Sequence, residues 1–176
     1  MLTRLIAAAV LLFLASLSPV ALAAPAKEPL VTYQWVQKNL DNPKVRIIEV
    51  SVDPGVYERG HIPGALNVSW HTDLVDKVSR DIVSRENFEK LVQKAGIDKD
   101  TTVVLYGDNN NWFAAWGAWV FHVHGLGEQV RLLDGGRKIW ELKQLPVSTK
   151  AEEVTATEFK LPDGNPNIRA RLSDVI

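Results

Sequence analysis

The stretch Thr102–His124, TVVLYGDNNNWFAAWGAWVFHVH, constrains the fold more than any other part of the chain. Thr102–Tyr106 is an apolar, β-branched run, as expected for a strand covered on both faces. A polar turn follows it, then a helix that Gly125 ends. Similar units flank it on both sides. Val45–Val50 (VRIIEV) is predicted as a strand, Ala65–Trp70 as a second short strand and Val130–Leu133 as another. Thr32–Leu40 is predicted helical with Thr32 as N-cap. Ser84–Ala95 is predicted helical with a near capping box at Ser84 and Asn87 and a stop at Gly96. A short helix follows Asp134-Gly135-Gly136 and runs to Leu142. Strand and helix alternate, which implies βα units and a largely parallel sheet with helices on both faces.

The first 23 residues read as a signal peptide. Arg4 is the charged start, Leu5–Leu17 is an apolar run of 13 residues, and Ala21-Leu22-Ala23 is the cleavage signal. The run is short of the ~20 residues that a membrane span needs, so no stable anchor is expected after cleavage, and the protein is expected to be exported, periplasmic or extracellular. The mature chain would hold 176 − 23 = 153 residues with a formal charge of 19 − 21 = −2. That near-neutral balance argues against a nucleic-acid partner or an anionic membrane surface. There is no cysteine. Disulfides, thiolate catalysis and Cys-bound metals are therefore excluded from these 176 residues.

Sites in open parallel sheets form at the carboxyl ends of the strands. Two such ends carry acids, Glu49 and Asp108, which as a pair would suit acid–base work or a divalent cation. The plainer expectation is that Asp108 or a neighbouring asparagine caps the helix that follows. His122 and His124 sit two apart on a helix and do not face each other, so shared metal binding is not expected. His61 lies in the rigid turn GHIPGA and is expected to bond to backbone. Trp112, Trp116 and Trp119 share one helical face, expected to be core-facing apart from Trp112 at the loop edge.

Tyr57–Ala65 (YERGHIPGA), the strand–loop–helix at Val103–Trp119, and Leu132-Leu133-Asp134-Gly135-Gly136 followed by Trp140 stand in one order and spacing. In these the chain resembles the rhodanese family over roughly residues 30–147, most closely the N-terminal half of tandem-domain thiosulfate or 3-mercaptopyruvate sulfurtransferases. The resemblance implies a rhodanese-like α/β domain at 24–147 with a central parallel sheet of about five strands. Residues 148–168 would be a linker or wrapping segment, and residues 169–176 the start of a second rhodanese domain in cis.

In the family's active domains a cysteine follows the fourth strand, and its persulfide sits in a ring of backbone N–H groups. Here Gly107, Asp108, Asn109, Asn110 and Asn111 occupy that loop, with the cysteine's place at Gly107 or Asp108. The resemblance therefore implies a domain with no catalytic residue, metal or cofactor of its own. Trp112 and Phe113 would form cleft wall toward the second domain, and Asp108 would repel a dianionic sulfur substrate. The family often has Asp-x-Arg at the end of the first strand. This chain has Glu49-Val50-Ser51, so an arginine partner for that acid is expected to be missing. The function implied is that of an exported thiosulfate sulfurtransferase, with a stand-alone binding or regulatory module as the alternative. A phosphatase and a metal-dependent hydrolase using Glu49 and Asp108 are the remaining rivals.

Overall fold

A computed structural model describes residues 28–171, 174 and 175. The expected signal peptide at 1–23 lies outside the described residues. Five strands pair in parallel throughout, in the order β1-β5-β4-β2-β3. They are β1 (Leu30–Val31), β2 (Val45–Glu49), β3 (Leu66–Asn67), β4 (Thr102–Tyr106) and β5 (Val130–Leu133). β4 is central and wholly buried.

Alternation along the strands divides the core in two. Val103 and Leu105 face one side with Ile48 and Val50, and meet Phe88 and Val92 of α3 (Arg85–Lys94) and Val120 and Phe121 of α4 (Trp112–Val123). Val104 and Tyr106 face the other side with Val45 and Ile47, and meet Val36 of α1 (Tyr33–Lys38) and Trp140 of α5 (Gly136–Leu142). Both sheet faces are thus covered, which is why β2 and β4 read as nearly continuous apolar runs.

The expected caps form. Thr32 Oγ1 accepts from Trp35 N at 3.2 Å, and Ser84 Oγ accepts from Asn87 N at 3.3 Å. Two elements carry no sequence signal, β1 and the four-residue helix α2 (Val56–Arg59). β1 exists because Leu30 and Val31 pair with Leu132 and Leu133. The motif GHIPGA makes the expected turn: Ala65 N donates to Ile62 O at 2.9 Å, and Gly64 adopts φ +79°.

The tryptophan face meets the expectation in part, since Trp116 and Trp119 pack against the core from its edge. α4 buries Ala114, Gly117, Val120 and Phe121 against the sheet, not its tryptophans. A Cβ on Gly117 would stand 3.3 Å from both Leu105 and Leu74, so the helix sits too close to the sheet for an indole to fit between them. Trp116 and Trp119 are half-buried beside that contact and Trp112 is 75% exposed.

Residues 148–168 wrap the domain. His61 and Ser148 exchange two backbone bonds of 2.8 Å. Thr157 N donates to Gln93 O, Arg85 donates to the carbonyls of Leu161 and Pro162, and Asn165 N donates to Val123 O. Among the described residues no helix is long and apolar enough to cross a membrane.

Candidate functional site

The carboxyl ends of β2 and β4 lie side by side, with Glu49 opposite Tyr106. Asn109, Asn110 and Asn111 follow in succession with φ of 47°, 54° and 65°. Asparagine is the non-glycine residue that most readily tolerates that left-handed region. The three asparagines are therefore explained by backbone conformation. The expected capping role is overturned: no side chain of Asp108 or Asn111 caps the helix. Asn111 instead staples the loop, with Oδ1 accepting from Gly107 N at 2.9 Å and Nδ2 donating to Leu133 O at 2.7 Å.

Asp108 turns the other way. Its carboxylate accepts from Val52 N at 3.1 Å and Asp53 N at 2.9 Å. Its charge is directed at the β2–α2 connection, which weakens the expected repulsion of an anion in the loop. Gly107 has no room for a side chain, since a Cβ there would stand 2.3 Å from Val50 O.

Beneath the loop lies a buried polar network. Glu49, 0% exposed, accepts from Ser51 Oγ at 2.7 Å, from Tyr106 Oη at 2.5 Å and from Arg137 Nη1 at 2.8 Å. The arginine expected to be missing is thus present. It comes from α5 rather than from the end of β2, because the sheet order brings β5 and its helix beside β4. Arg137 also bonds Glu141 through Nε at 2.7 Å and the Gly60 carbonyl through Nη2. Burial alone would lower the Arg137 pKa, but Glu49 and Glu141 hold it above its ordinary value. Burial pushes the Tyr106 hydroxyl well above its usual range, and the Glu49 charge adds to the push. No sequence signal marked Arg137, Tyr106 or Ser51, since all three act through contacts across the fold.

Glu49 is held by three side-chain donors and Asp108 by two backbone amides, so the two carboxylates belong to separate hydrogen-bond sets. Among the described residues no group of three or more His, Asp or Glu is placed to hold a metal ion. His61 is buried as expected, with Nδ1 2.9 Å from Tyr57 O and Nε2 3.0 Å from Lys150 O. His124 is buried against Phe88, its Nε2 3.2 Å from Val83 O, while His122 is exposed. Beside the loop, Trp112 stacks on Phe113 with ring centres 6.1 Å apart, and Phe113 meets Trp70 edge-on at 5.1 Å.

Fold and loop together define a parallel α/β domain with a strand–loop–helix unit at the carboxyl end of its central strand. The Rhodanese-like domain model matches residues 32–143, and the chain belongs to that family. It is 44% identical over 149 residues to the sulfur carrier protein TtuD of Thermus thermophilus, matching 85% of this chain and 52% of that protein. It is 44% identical over 147 residues to a putative thiosulfate sulfurtransferase of Mycolicibacterium smegmatis, matching 84% and 53%. Among solved structures, SseA of Escherichia coli, described as a 3-mercaptopyruvate sulfotransferase, superposes with a TM-score of 0.74 at 26% identity. That match covers 84% of this chain and 60% of SseA. The chain spans about half the length of the curated relatives it matches.

Proposed function

We propose that this chain is the cysteine-less rhodanese domain of an exported thiosulfate sulfurtransferase, and that a second rhodanese domain in cis carries the reactive thiol. One observation carries the reading: the rhodanese scaffold is complete, down to the buried network under its loop, yet the chain holds no cysteine. The coverage of about half of each curated relative supports a second domain. A Cβ at Gly107 would meet Val50 O, which supports Asp108 over Gly107 as the place of the missing thiol.

In the reaction, a thiolate of the second domain attacks the outer sulfur of thiosulfate. The S–S bond breaks and sulfite leaves, so the thiolate becomes a persulfide. Cyanide then takes the outer sulfur as thiocyanate and the thiolate is restored. This domain contributes wall, with exposed Trp112 over Phe113 keeping water from the persulfide. In the longer protein, truncating both to alanine is expected to lower thiosulfate:cyanide turnover while leaving the fold intact. Unchanged turnover would refute the cleft role. Export is tested by sequencing the N-terminus of secreted or periplasmic material, expected at Ala24 or within a residue or two; an intact Met1 there would refute it.

A further inference from the structure

Residues 161–169 form a strap across the carboxyl end of α4, fastened at three points. Arg85, at the start of α3, donates from Nη2 to the carbonyls of Leu161 and Pro162 at 2.9 and 2.6 Å. Asn165 N donates to Val123 O at 2.9 Å. Arg169 pairs with Asp81. Between these points the strap lies close on the helix end: a Cβ on Gly125 would stand 2.4 Å from Asp163 O, and one on Gly164 2.8 Å from Val123 O.

His124 ends α4 beneath the strap. It is 6% exposed, its ring stacks on Phe88 with centres 4.5 Å apart, and its Nε2 lies 3.2 Å from Val83 O. The charged groups that share its groove are Arg85 from α3, Asp76 and Asp81 from the β3–α3 connection, and Asp163, Arg169, Arg171 and Asp174 from the strap and the residues after it. Asp76 is turned onto the Val78 and Ser79 amides, Asp81 onto Arg169, and Asp174 onto the Arg171 amide. Among the described residues no carboxylate bonds the imidazole. The Arg85 and Arg169 charges both act against a positive charge on it. The two side chains that fasten the strap are thus the two that oppose a proton on His124.

We propose that His124 is a pH-sensitive catch for this strap: when the ring takes up one proton, residues 161–169 come off the end of α4 while the sheet stays folded. Burial disfavours the charged ring. Release carries the ring into water and away from Arg169, so the open form binds the proton more tightly. The strap is therefore held in full above pH 6.5 and loosens as pH falls from there through the lower value of the closed form. Asp81 stays charged throughout this window, because Arg169 and the Ile82 amide hold its carboxyl below the ordinary 3.8. Release also uncovers the apolar contact that Leu161, 8% exposed, makes with the α3–α4 core.

The test is amide hydrogen exchange followed by NMR at about pH 7.5 and about pH 5, expressed as protection factors so that the intrinsic pH dependence of exchange drops out. Asn165 reports the strap, and Thr157, bonded to Gln93 O at 3.0 Å, is the control elsewhere in the same wrapping segment. On acidification Asn165 is expected to lose protection at least about twofold relative to Thr157. His124→Gln is expected to remove that difference, and His122→Gln, at the exposed neighbouring histidine, to leave it unchanged. If His124→Gln does not fold, the two amides of the parent chain still decide. Equal loss at Asn165 and Thr157, or full protection at Asn165 while the His124 ring resonances titrate, would overturn the proposal. So would loss of the response in His122→Gln.

Discussion

Arg137 Nη1 lies 2.8 Å from Glu49 Oε1, joining the start of α5 to the end of β2 across 88 residues of chain. Glu49 is fully buried and the arginine side chain is 15% exposed. Removing one partner of such a pair leaves the other charge uncompensated, which costs about 3–5 kcal/mol. Arg137→Met is therefore expected to destabilise the chain by about that much in urea unfolding. The double variant, Arg137→Met with Glu49→Gln, removes both charges and is expected to cost less than Arg137→Met alone. If Arg137→Met lost under about 1 kcal/mol, the network would not be holding the strand ends.

His124 gives stability a pH dependence. Burial holds its imidazole below the ordinary 6.5, and the Arg85 and Arg169 charges add to this against the Val83 carbonyl. The folded chain thus binds fewer protons than the unfolded chain near that pH. The contribution is fully present above 6.5 and is lost as pH falls from there through the folded value. The carboxylates of Asp76, Asp81 and Asp98 are held below their ordinary 3.8 and act in a lower window. His124→Gln is expected to flatten the upper loss and keep the lower one. Identical pH profiles for variant and parent would contradict the assignment.

Gly64 sits at φ +79° in a turn closed by Ala65 N and Ile62 O. A Cβ there meets nothing nearer than Leu40 O at 3.9 Å, so any cost is conformational and not steric. Gly64→Val is expected to cost at least about 1 kcal/mol and to lower the Tm. A variant melting with the parent would show that the turn tolerates either geometry.

The tryptophans should separate by burial. Trp140 is 1% exposed, and its Nε1 donates to Pro146 O at 2.8 Å. Trp140→Ala is expected to cost roughly 3–5 kcal/mol. Trp112 is 75% exposed, and Trp112→Ala should change the stability of this chain by under about 0.5 kcal/mol. A large loss at Trp112 would mean that it supports the domain itself and is not held out for a partner.

Sequence reading succeeds here where local chemistry decides. The apolar runs of β2 and β4, the caps at Thr32 and Ser84, and the turn at Gly64 were all legible because each depends on a few neighbouring residues. It fails where the sheet order decides. β1 is two residues long and exists through its pairing with β5. Arg137 reaches Glu49 only because β5 and β2 flank β4. The tryptophan face of α4 followed helical period correctly, yet the sheet admits only Ala114, Gly117, Val120 and Phe121. Glu49 and Asp108 were rightly placed at strand ends, but their hydrogen-bond donors, which tie them into separate sets, come from the β2–α2 connection, β4 and α5.

Under the proposed function, the scaffold is intact and chemically silent on its own. Transfer of sulfur needs a group that attacks sulfur as an anion and leaves as one, and near neutral pH a thiolate does this well. The chain's one sulfur is the thioether of Met1, and the Asp108 carboxylate is tied to two backbone amides. The direct measurement is thiocyanate formation from thiosulfate and cyanide by the purified chain, across a range of protein concentrations. The account predicts a rate equal to buffer at every concentration; a rate that rises in proportion to protein would contradict it.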